Sequence, residues 1–260
     1  MTCENLILGH RGFIGSNFYK FLKKKNASIK IVDTPKTKKN NITFFFNFIS
    51  QKILKYKPQY IWNFIGTHST NLNQNLDSNF LLSYKLINLI NRKKLNSKII
   101  FIGSAIEDNF ESFSDLNKKK INYAISKNLQ SLLINSSNFK KNLYILKLYN
   151  VYGDGIKINL FPGKINLMIK KILSKELNKT KIKSYNDKRN YIHIKKVVKK
   201  MYLLINKKTI KNNFSTIRSN KKISNFQLFK IIAQKNGIKS FKTKIINKDL
   251  ILYNFDIKQK

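Results

Sequence analysis

Tyr123-Ala-Ile-Ser-Lys127 sets a phenol and an ammonium four residues apart. On a helix that spacing puts both groups on one face, one turn from each other. A free phenol titrates near pH ~10 and is a poor base at neutral pH, but adjacent positive charge favours the phenolate. Bringing the pKa down to about 7 takes roughly 4 kcal/mol of differential stabilisation. Two positive charges in a dry site, Lys127 and a second cation, are of the right order. The same spacing recurs at Tyr19/Lys23 and Tyr191/Lys195, so spacing alone does not choose among the three. Position does. Only Tyr123 follows the apolar run Lys98-Ile-Ile-Phe-Ile-Gly-Ser104, whose final hydroxyl can hold a substrate oxygen beside the phenol.

An oxidised nicotinamide would bring that second charge if the chain holds a dinucleotide, and Leu6-Ile-Leu-Gly-His-Arg-Gly-Phe-Ile-Gly-Ser-Asn17 reads as an element that does. Leu6, Ile7 and Leu8 read as a buried strand, and Phe18, Phe21 and Leu22 follow at helical spacing. Gly9, Gly12 and Gly15 lie between them. Glycines let the backbone turn tightly and approach a diphosphate, while a helix N-terminus offers unpaired N–H groups. Asp33 ends the next strand, Ser28-Ile-Lys-Ile-Val-Asp33, at the distance expected of a carboxylate that binds the adenosine ribose. That carboxylate favours NAD over NADP, although Lys36, Lys38 and Lys39 are near enough in sequence to neutralise a 2′-phosphate.

Composition narrows the class. A chain of 260 residues that is 42% hydrophobic can bury one large α/β core with a small appendage. No apolar segment is long enough to span a membrane, and the N-terminus has no signal-peptide character. Cys3, the single cysteine, excludes an internal disulfide and any multi-cysteine metal site, in keeping with a cytoplasmic protein. The formal charge of +40 invites a nucleic-acid reading, but the lysines are spread over nearly every segment. Arginine, the residue suited to bidentate base contacts, stands only at Arg11, Arg92, Arg189 and Arg218. The charge therefore reads as a drifted surface with salt-sensitive polyanion attraction, not specific nucleic-acid recognition.

Strand and helix patterns alternate through Tyr149. Ile42-Thr-Phe-Phe-Phe-Asn-Phe48 reads as a third strand, with Asn47 near its end as a poorly placed adenine contact, and a short helix over Ile53, Leu54 and Tyr56 stops before Pro58. Tyr60–Gly66, Lys98–Ser104 and Leu143–Tyr149 read as further strands, with helices from about Asp77 and over Asn122–Ser136 between them. This predicts a Rossmann-type doubly wound parallel sheet in the α/β class. Residues 1–155 form its cofactor domain, and 156–260 a small interleaved substrate-binding region from which 190–205 returns to the core. Ser224 caps a helix through Ile232, and the charged, aromatic C-terminal stretch has no clear pattern.

In combination these segments resemble the extended short-chain dehydrogenase/reductase family, the NAD-dependent nucleotide-sugar epimerases and dehydratases. Gly9-x-x-Gly12-Phe-Ile-Gly15 is similar to its cofactor turn, Phe101-Ile-Gly-Ser104 to its serine strand and Tyr123-x-x-x-Lys127 to its catalytic pair. Leu146-Lys-Leu-Tyr-Asn-Val-Tyr-Gly153 resembles the loop that touches nicotinamide and substrate, and Arg189-Asn-Tyr-Ile-His-Ile194 the segment whose arginine binds the substrate diphosphate. The resemblance spans residues 5 to 235. It implies that Tyr123 is the acid/base, Lys127 its ribose-binding partner and Ser104 the group that orients the sugar oxygen. Gly9, Gly12, Phe13, Ile14, Gly15, Asp33, Gly66, Asn79, Lys127 and Tyr149 would form the NAD site, and Asn150 with Arg189 would join Ser104 in holding the substrate. No metal is implied: His193 reads as packed in its strand, and His10 and His68 lie on loops.

Asn190 stands where the family carries an acid, Lys195-Lys196 replaces acids common in the next motif, and the loop from Ser104 to Tyr123 lacks the usual Tyr-Gly. The C-terminal region is short, which implies a smaller substrate lid. The activity implied is hydride transfer at a ring carbon of a nucleotide-activated sugar, as a 4-epimerase or 4-keto reductase serving surface polysaccharide precursors. A homodimer in the cytoplasm is expected. Two other readings, a catalytically degenerate NAD(H)-binding protein and a basic nucleic-acid-associated protein, are opposed by the intact Ser104/Tyr123/Lys127 set and by the dispersed charge respectively.

Overall fold

The first strand, β1 (Asn5–Leu8), has Leu6, Ile7 and Leu8 all fully buried, the mark of a strand covered on both faces. The structure, a computed structural model, describes residues 3–33, 42–108, 118–206 and 213–258. After β1 come α1 (Phe13–Lys23), β2 (Ile29–Val32), α2 (Ile42–Tyr56) and β3 (Tyr60–Asn63). A short α3 (Leu72–Asn75) passes through a π-helical turn (Leu76–Leu81) into α4 (Leu82–Arg92). Then follow β4 (Lys98–Ser104), α5 (Lys118–Ser136), β5 (Leu143–Leu148), β6 (Asn150–Tyr152), α6 (Phe161–Leu173), β7 (Lys179–Ile182), β8 (Lys188–Arg189) and β9 (Tyr191–His193). The chain ends with α7 (Ile194–Asn206), β10 (Phe214–Ile217), β11 (Ile223–Ser224), α8 (Asn225–Lys235), β12 (Ile238–Ile246) and β13 (Asp249–Ile257). It forms two compact units, Met1–Leu148 with Lys195–Ile217, and Tyr149–Ile194 with Arg218–Lys260.

In the first unit six strands make one parallel sheet in the order β2-β1-β3-β4-β5-β10. Winding runs outward from β1 to β2, then back across β1 to β3, so the order reverses between β1 and β3. Ligands of such sheets bind at that reversal, outside the carboxyl ends of the strands. Leu6, Ile61 and Phe101 face one side of the sheet, where Phe45 and Ile49 of α2 and Leu86 of α4 cover them. On the other side Phe18 of α1 packs 4.3 Å, centroid to centroid, from Trp62 of β3. The buried Trp62 indole N–H donates to Asn5 Oδ1 at 2.9 Å, so this layer leaves no indole donor unpaired. The result is the expected Rossmann-type α/β sheet.

One element differs. Residues 42–48, read as a strand, are the start of α2, and Asn47 lies within that helix. The phenylalanine run has strong β propensity, but Phe45, Ile49 and Ile53 recur every four residues and all are buried, while Phe44 and Phe48 are exposed. Tertiary burial of a helical stripe overrides the local preference. The expectations at Lys36, Lys38 and Lys39 fall outside the described residues.

The second unit packs α6 and α8 on an antiparallel sheet ordered β12-β13-β7, around Ile165, Ile169, Phe229 and Leu252. β6 runs parallel to β9, and β8 antiparallel to β11. The capping box at the start of α8 is complete, with Gln227 N donating to Ser224 Oγ at 3.1 Å and Ser224 N donating to Gln227 Oε1 at 2.8 Å. The C-terminal stretch is the β12–β13 hairpin, turning at Asn247 and Lys248 with φ of 49° and 66°. Two positive φ values are what a two-residue hairpin turn requires.

Candidate active site

Gly9 ends β1 with φ of 79°, in the left-handed region, and its carbonyl accepts from Gly12 N–H at 3.1 Å. A Cβ on Gly15 would stand 2.4 Å from Gly9 O, so α1 can start this close to the turn only because residue 15 has no side chain. Phe13 and Ile14 form the first half-buried turn of α1, and the helix has no side-chain cap. At the end of β2, Asp33 Oδ2 lies 2.5 Å from His10 Nδ1 and 3.0 Å from Arg11 Nε. Its other oxygen, Oδ1, is buried and accepts no hydrogen bond among the described residues; Asn63 Nδ2, at the end of β3, is likewise buried and unpaired.

β4 delivers Ser104 to its carboxyl end, and α5 carries Tyr123 and Lys127. The Ser104 hydroxyl lies near enough to the Tyr123 phenol to favour its ionised form. The ring of His68 packs on that of Tyr123 with centroids 4.8 Å apart. Lys127 is buried, and Nζ donates to Ile102 O at 2.7 Å and to Gln130 Oε1 at 3.0 Å. Gln130 donates to Ser83 Oγ at 2.7 Å, and Ser83 donates to Asn79 O at 2.8 Å. Asn79 lies in the π-helical turn and donates to Thr67 O and Ser126 Oγ, each at 2.9 Å, while its Oδ1 accepts from Thr67 N–H at 3.2 Å. Asn79 thereby ties the loop after β3 to α5. A Cβ on Gly66 in that loop would meet Asn79 Oδ1 at 2.8 Å.

Electrostatics here are governed by burial. The Tyr123 phenol is pushed up to about 12, chiefly by desolvation, with the Ser104 hydrogen bond pulling down and the Glu107 carboxylate pushing up. Desolvation pulls Lys127 down to about 8, opposed by Glu107. The sequence reading expects Lys127 to depress the phenol; in the chain alone, Lys127 spends its donors on Ile102 and Gln130, and desolvation prevails.

The remaining sequence-selected residues belong to the second unit. Tyr149 is half-buried and Asn150 exposed. Asn150 pairs in register with Tyr191, and its N–H donates to Asn190 O at 3.2 Å, which sets it beside the Arg189 segment. Arg189 is exposed, with Nη2 3.9 Å from Asp187 Oδ2. Asn190 is buried and exchanges two 2.7 Å hydrogen bonds with the backbone of Ser219, donating through Nδ2 and accepting through Oδ1. Residues that sequence reasoning missed are Glu107, Gln130, Asn63 and the Ser83/Ser126 hydroxyls. Only Glu107 had a usable signal, as one of 12 acids in a chain of 52 basic residues, three positions after Ser104. Among the described residues, no group of three or more His, Cys, Asp or Glu side chains could hold a metal ion.

The profile of the NAD dependent epimerase/dehydratase family matches residues 5–215. The chain belongs to that family. A UDP-glucose 4-epimerase from Mycoplasma genitalium is 24% identical over 237 residues, covering 76% of this chain and 70% of its own. The UDP-glucose 4-epimerase of Thermotoga maritima, solved with UDP-glucose, superposes with a TM-score of 0.69 at 18% identity, over 89% of this chain and 82% of that one. The dTDP-4-dehydrorhamnose reductase of Bacillus anthracis, solved with NADP, gives 0.69 at 16% identity, over 90% and 81%. At these identities the structural likeness is one of fold.

Membership makes this protein an enzyme of the extended short-chain dehydrogenase/reductase class, in a family of NAD-dependent sugar-nucleotide enzymes. The first unit fits that cofactor. The uncapped N-terminus of α1 offers backbone N–H groups to a diphosphate, and the close Gly9–Gly15 approach sets that N-terminus against the turn that ends β1. The unpaired Asp33 Oδ1 is an acceptor of the kind a ribose hydroxyl needs. No helix among the described residues is long and apolar enough to cross a membrane.

Proposed function

We propose that this family member is a 4-epimerase or 4-keto reductase of a nucleotide-activated sugar, with Tyr123 as acid/base. The observation that carries the reading is the Ser104 hydroxyl set beside the Tyr123 phenol, with a buried Lys127 one turn on, at the carboxyl end of β4. NAD, held by the glycine turn and Asp33, supplies a hydride acceptor that can return what it takes. Tyr123 removes the proton from the sugar hydroxyl as its carbon is oxidised, and gives a proton back when the ketone is reduced. Ser104 hydrogen-bonds the same sugar oxygen, so the carbonyl oxygen stays within reach of the phenol. Lys127 holds the cofactor ribose and keeps positive charge near the phenolate. Asn150 and Arg189 bind the substrate, the arginine as a fork for phosphate oxygens. The 4-epimerase relative supports this choice of ring position.

We place the reaction in the cytoplasm, supplying surface polysaccharide precursors, and assign a homodimer. Exposed Tyr84 on α4 and Leu132 on α5 support a partner on that helical face. The deciding experiment incubates the purified protein with NAD(H) and UDP-, GDP-, dTDP- and CDP-sugars, with products read by mass spectrometry and NMR. Inversion at C4, or reduction of a 4-keto sugar, confirms the reading; no turnover of any sugar at any cofactor oxidation state overturns it.

A further inference from the structure

Glu107 is a buried acid that the proposed chemistry does not use. It stands in a short 3-10 turn, Ala105–Asp108, three residues beyond Ser104, and is only 2% exposed. Oε1 accepts from the Ser104 backbone N–H at 2.9 Å, and Oε2 accepts from the Ser131 hydroxyl of α5. Lys147 Nζ, from β5, lies 3.8 Å from Oε1. Asn128 of α5 donates to the Glu107 backbone carbonyl at 3.5 Å. Both side-chain oxygens accept hydrogen bonds, an arrangement that favours the carboxylate over the acid. Burial raises its pKa, while Ser131, Lys147, the Ser104 N–H and Lys127 act the other way.

Room has been kept for this pair. A Cβ on Gly103 would stand 2.8 Å from Glu107 Oε1 and 3.1 Å from Lys147 Cγ, so β4 carries no side chain where the carboxylate sits. Lys147 is itself buried, with Nζ 4.6 Å from the centroid of the Phe214 ring. Packing alone gives no reason for charge in such a place, since apolar groups of similar volume avoid the desolvation cost. The charge does have neighbours to act on. Lys127 Nζ is hydrogen-bonded to Ile102 O and Glu107 Oε1 to the Ser104 N–H, two residues apart on β4, so the carboxylate acts on Lys127 and on Tyr123, both of the candidate catalytic set.

We propose that Glu107 is a positioning residue for this set: it fixes Ser104 through the backbone N–H, and its buried negative charge sets the protonation of Lys127 and Tyr123. This rests on the roles proposed above for those three residues. The carboxylate keeps Lys127 an ammonium at neutral pH despite its burial, so the positive charge that a phenolate requires is already in place. Tyr123 stays a neutral phenol until further positive charge and the substrate arrive. The anchored Ser104 amide also restrains the turn after β4, and with it the hydroxyl that meets the phenol.

The test is an NMR titration of the full chain carrying lysine labelled with 13C at Cε. Most lysines titrate above pH ~10, so one that moves with a midpoint near 8 stands apart, and its loss in Lys127→Met assigns it. In Glu107→Gln that midpoint falls by about one pH unit, and Glu107→Asp, which keeps the charge, restores it. The pH–rate profile of the active substrate shifts acidward in the Gln variant, whereas a merely structural residue would lower the rate without moving the profile. Should Glu107→Gln fail to fold because Lys147 loses its buried counter-charge, Glu107→Gln/Lys147→Met removes both charges and shows the same fall. A Lys127 midpoint unmoved in the neutral variants overturns the proposal. Failure of the catalytic reading is separate: it shows as normal turnover by Tyr123→Phe, and the lysine titration is read without turnover.

Discussion

Lys127 Nζ is hydrogen-bonded to Gln130 Oε1, 3.0 Å away on the next turn of α5. Through Gln130 the ammonium is joined to Ser83 on α4 and so to Asn79 in the π-helical turn. Each of these groups is buried, so each partner lost leaves a polar atom without water to replace it. Gln130→Leu therefore destabilises the protein by about 1–3 kcal/mol and weakens NAD binding, because Lys127 loses an acceptor that fixes it. Urea unfolding and calorimetric NAD titration check this together. Wild-type stability in the variant would show that the network is solvated.

The buried ammonium also leaves a mark on pH dependence. Folding lowers the Lys127 pKa from 10.5 to about 8, so between those values the unfolded chain binds more protons than the folded one. Stability attributable to this group therefore rises with pH from about 8 to 10.5 and is lowest below that window. Tyr123 acts oppositely: its pKa rises on folding from 10.0 to about 12, and stability from that source falls across that interval. Lys127→Met removes the first window and leaves the second. Denaturant midpoints from pH 7 to 10 should climb in the wild type relative to the variant; parallel curves would contradict the depressed ammonium.

Much of this was readable in the sequence because it is local. The strand–glycine–helix run at residues 6–22 and the helical phase of Tyr123 and Lys127 depend on neighbours within a few positions. What was not readable depends on distant partners. The run at 42–48 follows aromatic β propensity until Phe45, Ile49 and Ile53 find a sheet to cover. The C-terminal hairpin escaped notice because its turn is Asn247-Lys248, without the glycine that announces positive φ. Gln130 and Glu107 matter through groups on α4, β4 and β5, contacts that no spacing encodes.

Asn190 illustrates the same point and gives a test. The family's acid at this position can only accept when ionised, whereas the amide here donates to Ser219 O and accepts from Ser219 N–H. Asn190→Asp sets a carboxylate against a carbonyl oxygen. The variant should lose about 1–3 kcal/mol and bind substrate less well, since Arg189 adjoins the disturbed segment. Thermal unfolding at neutral pH reads the loss. An Asp variant as stable as the wild type would mean that Ser219 adapts without cost.

Cofactor choice turns on Asp33. Its carboxylate repels a 2′-phosphate, and it also engages His10 and Arg11, two groups able to attract one. Wild-type protein should bind NAD more tightly than NADP. Asp33→Asn removes the repulsion and releases Arg11, raising NADP affinity roughly tenfold, about 1.4 kcal/mol, while weakening NAD. Adding Arg11→Ala should cancel most of that gain. Calorimetry with both cofactors at physiological salt decides it, and tighter NADP binding by the wild type would sink the argument.

The most direct prediction compares two tyrosines with the same spacing to a lysine. Tyr123→Phe keeps the ring that packs against His68 but removes the phenol that lies beside Ser104. NAD binding should persist, because the glycine turn, Asp33 and Lys127 are untouched, and turnover should drop at least ~100-fold, as when a general acid/base is lost. Tyr191 lies in the second unit, where its hydroxyl donates to Asn225 Oδ1 at 2.7 Å and burial pushes its pKa up to about 12. Tyr191→Phe leaves Asn225 short of a donor, which costs roughly 1 kcal/mol of stability but spares the chemistry. The two variants should therefore separate cleanly, one stable and inactive, the other active with a lowered melting temperature. Measured turnover on the substrate found by the nucleotide-sugar screen, set beside thermal unfolding of both proteins, makes the comparison. A Tyr123→Phe enzyme that turned over at near the wild-type rate would remove this tyrosine from the mechanism.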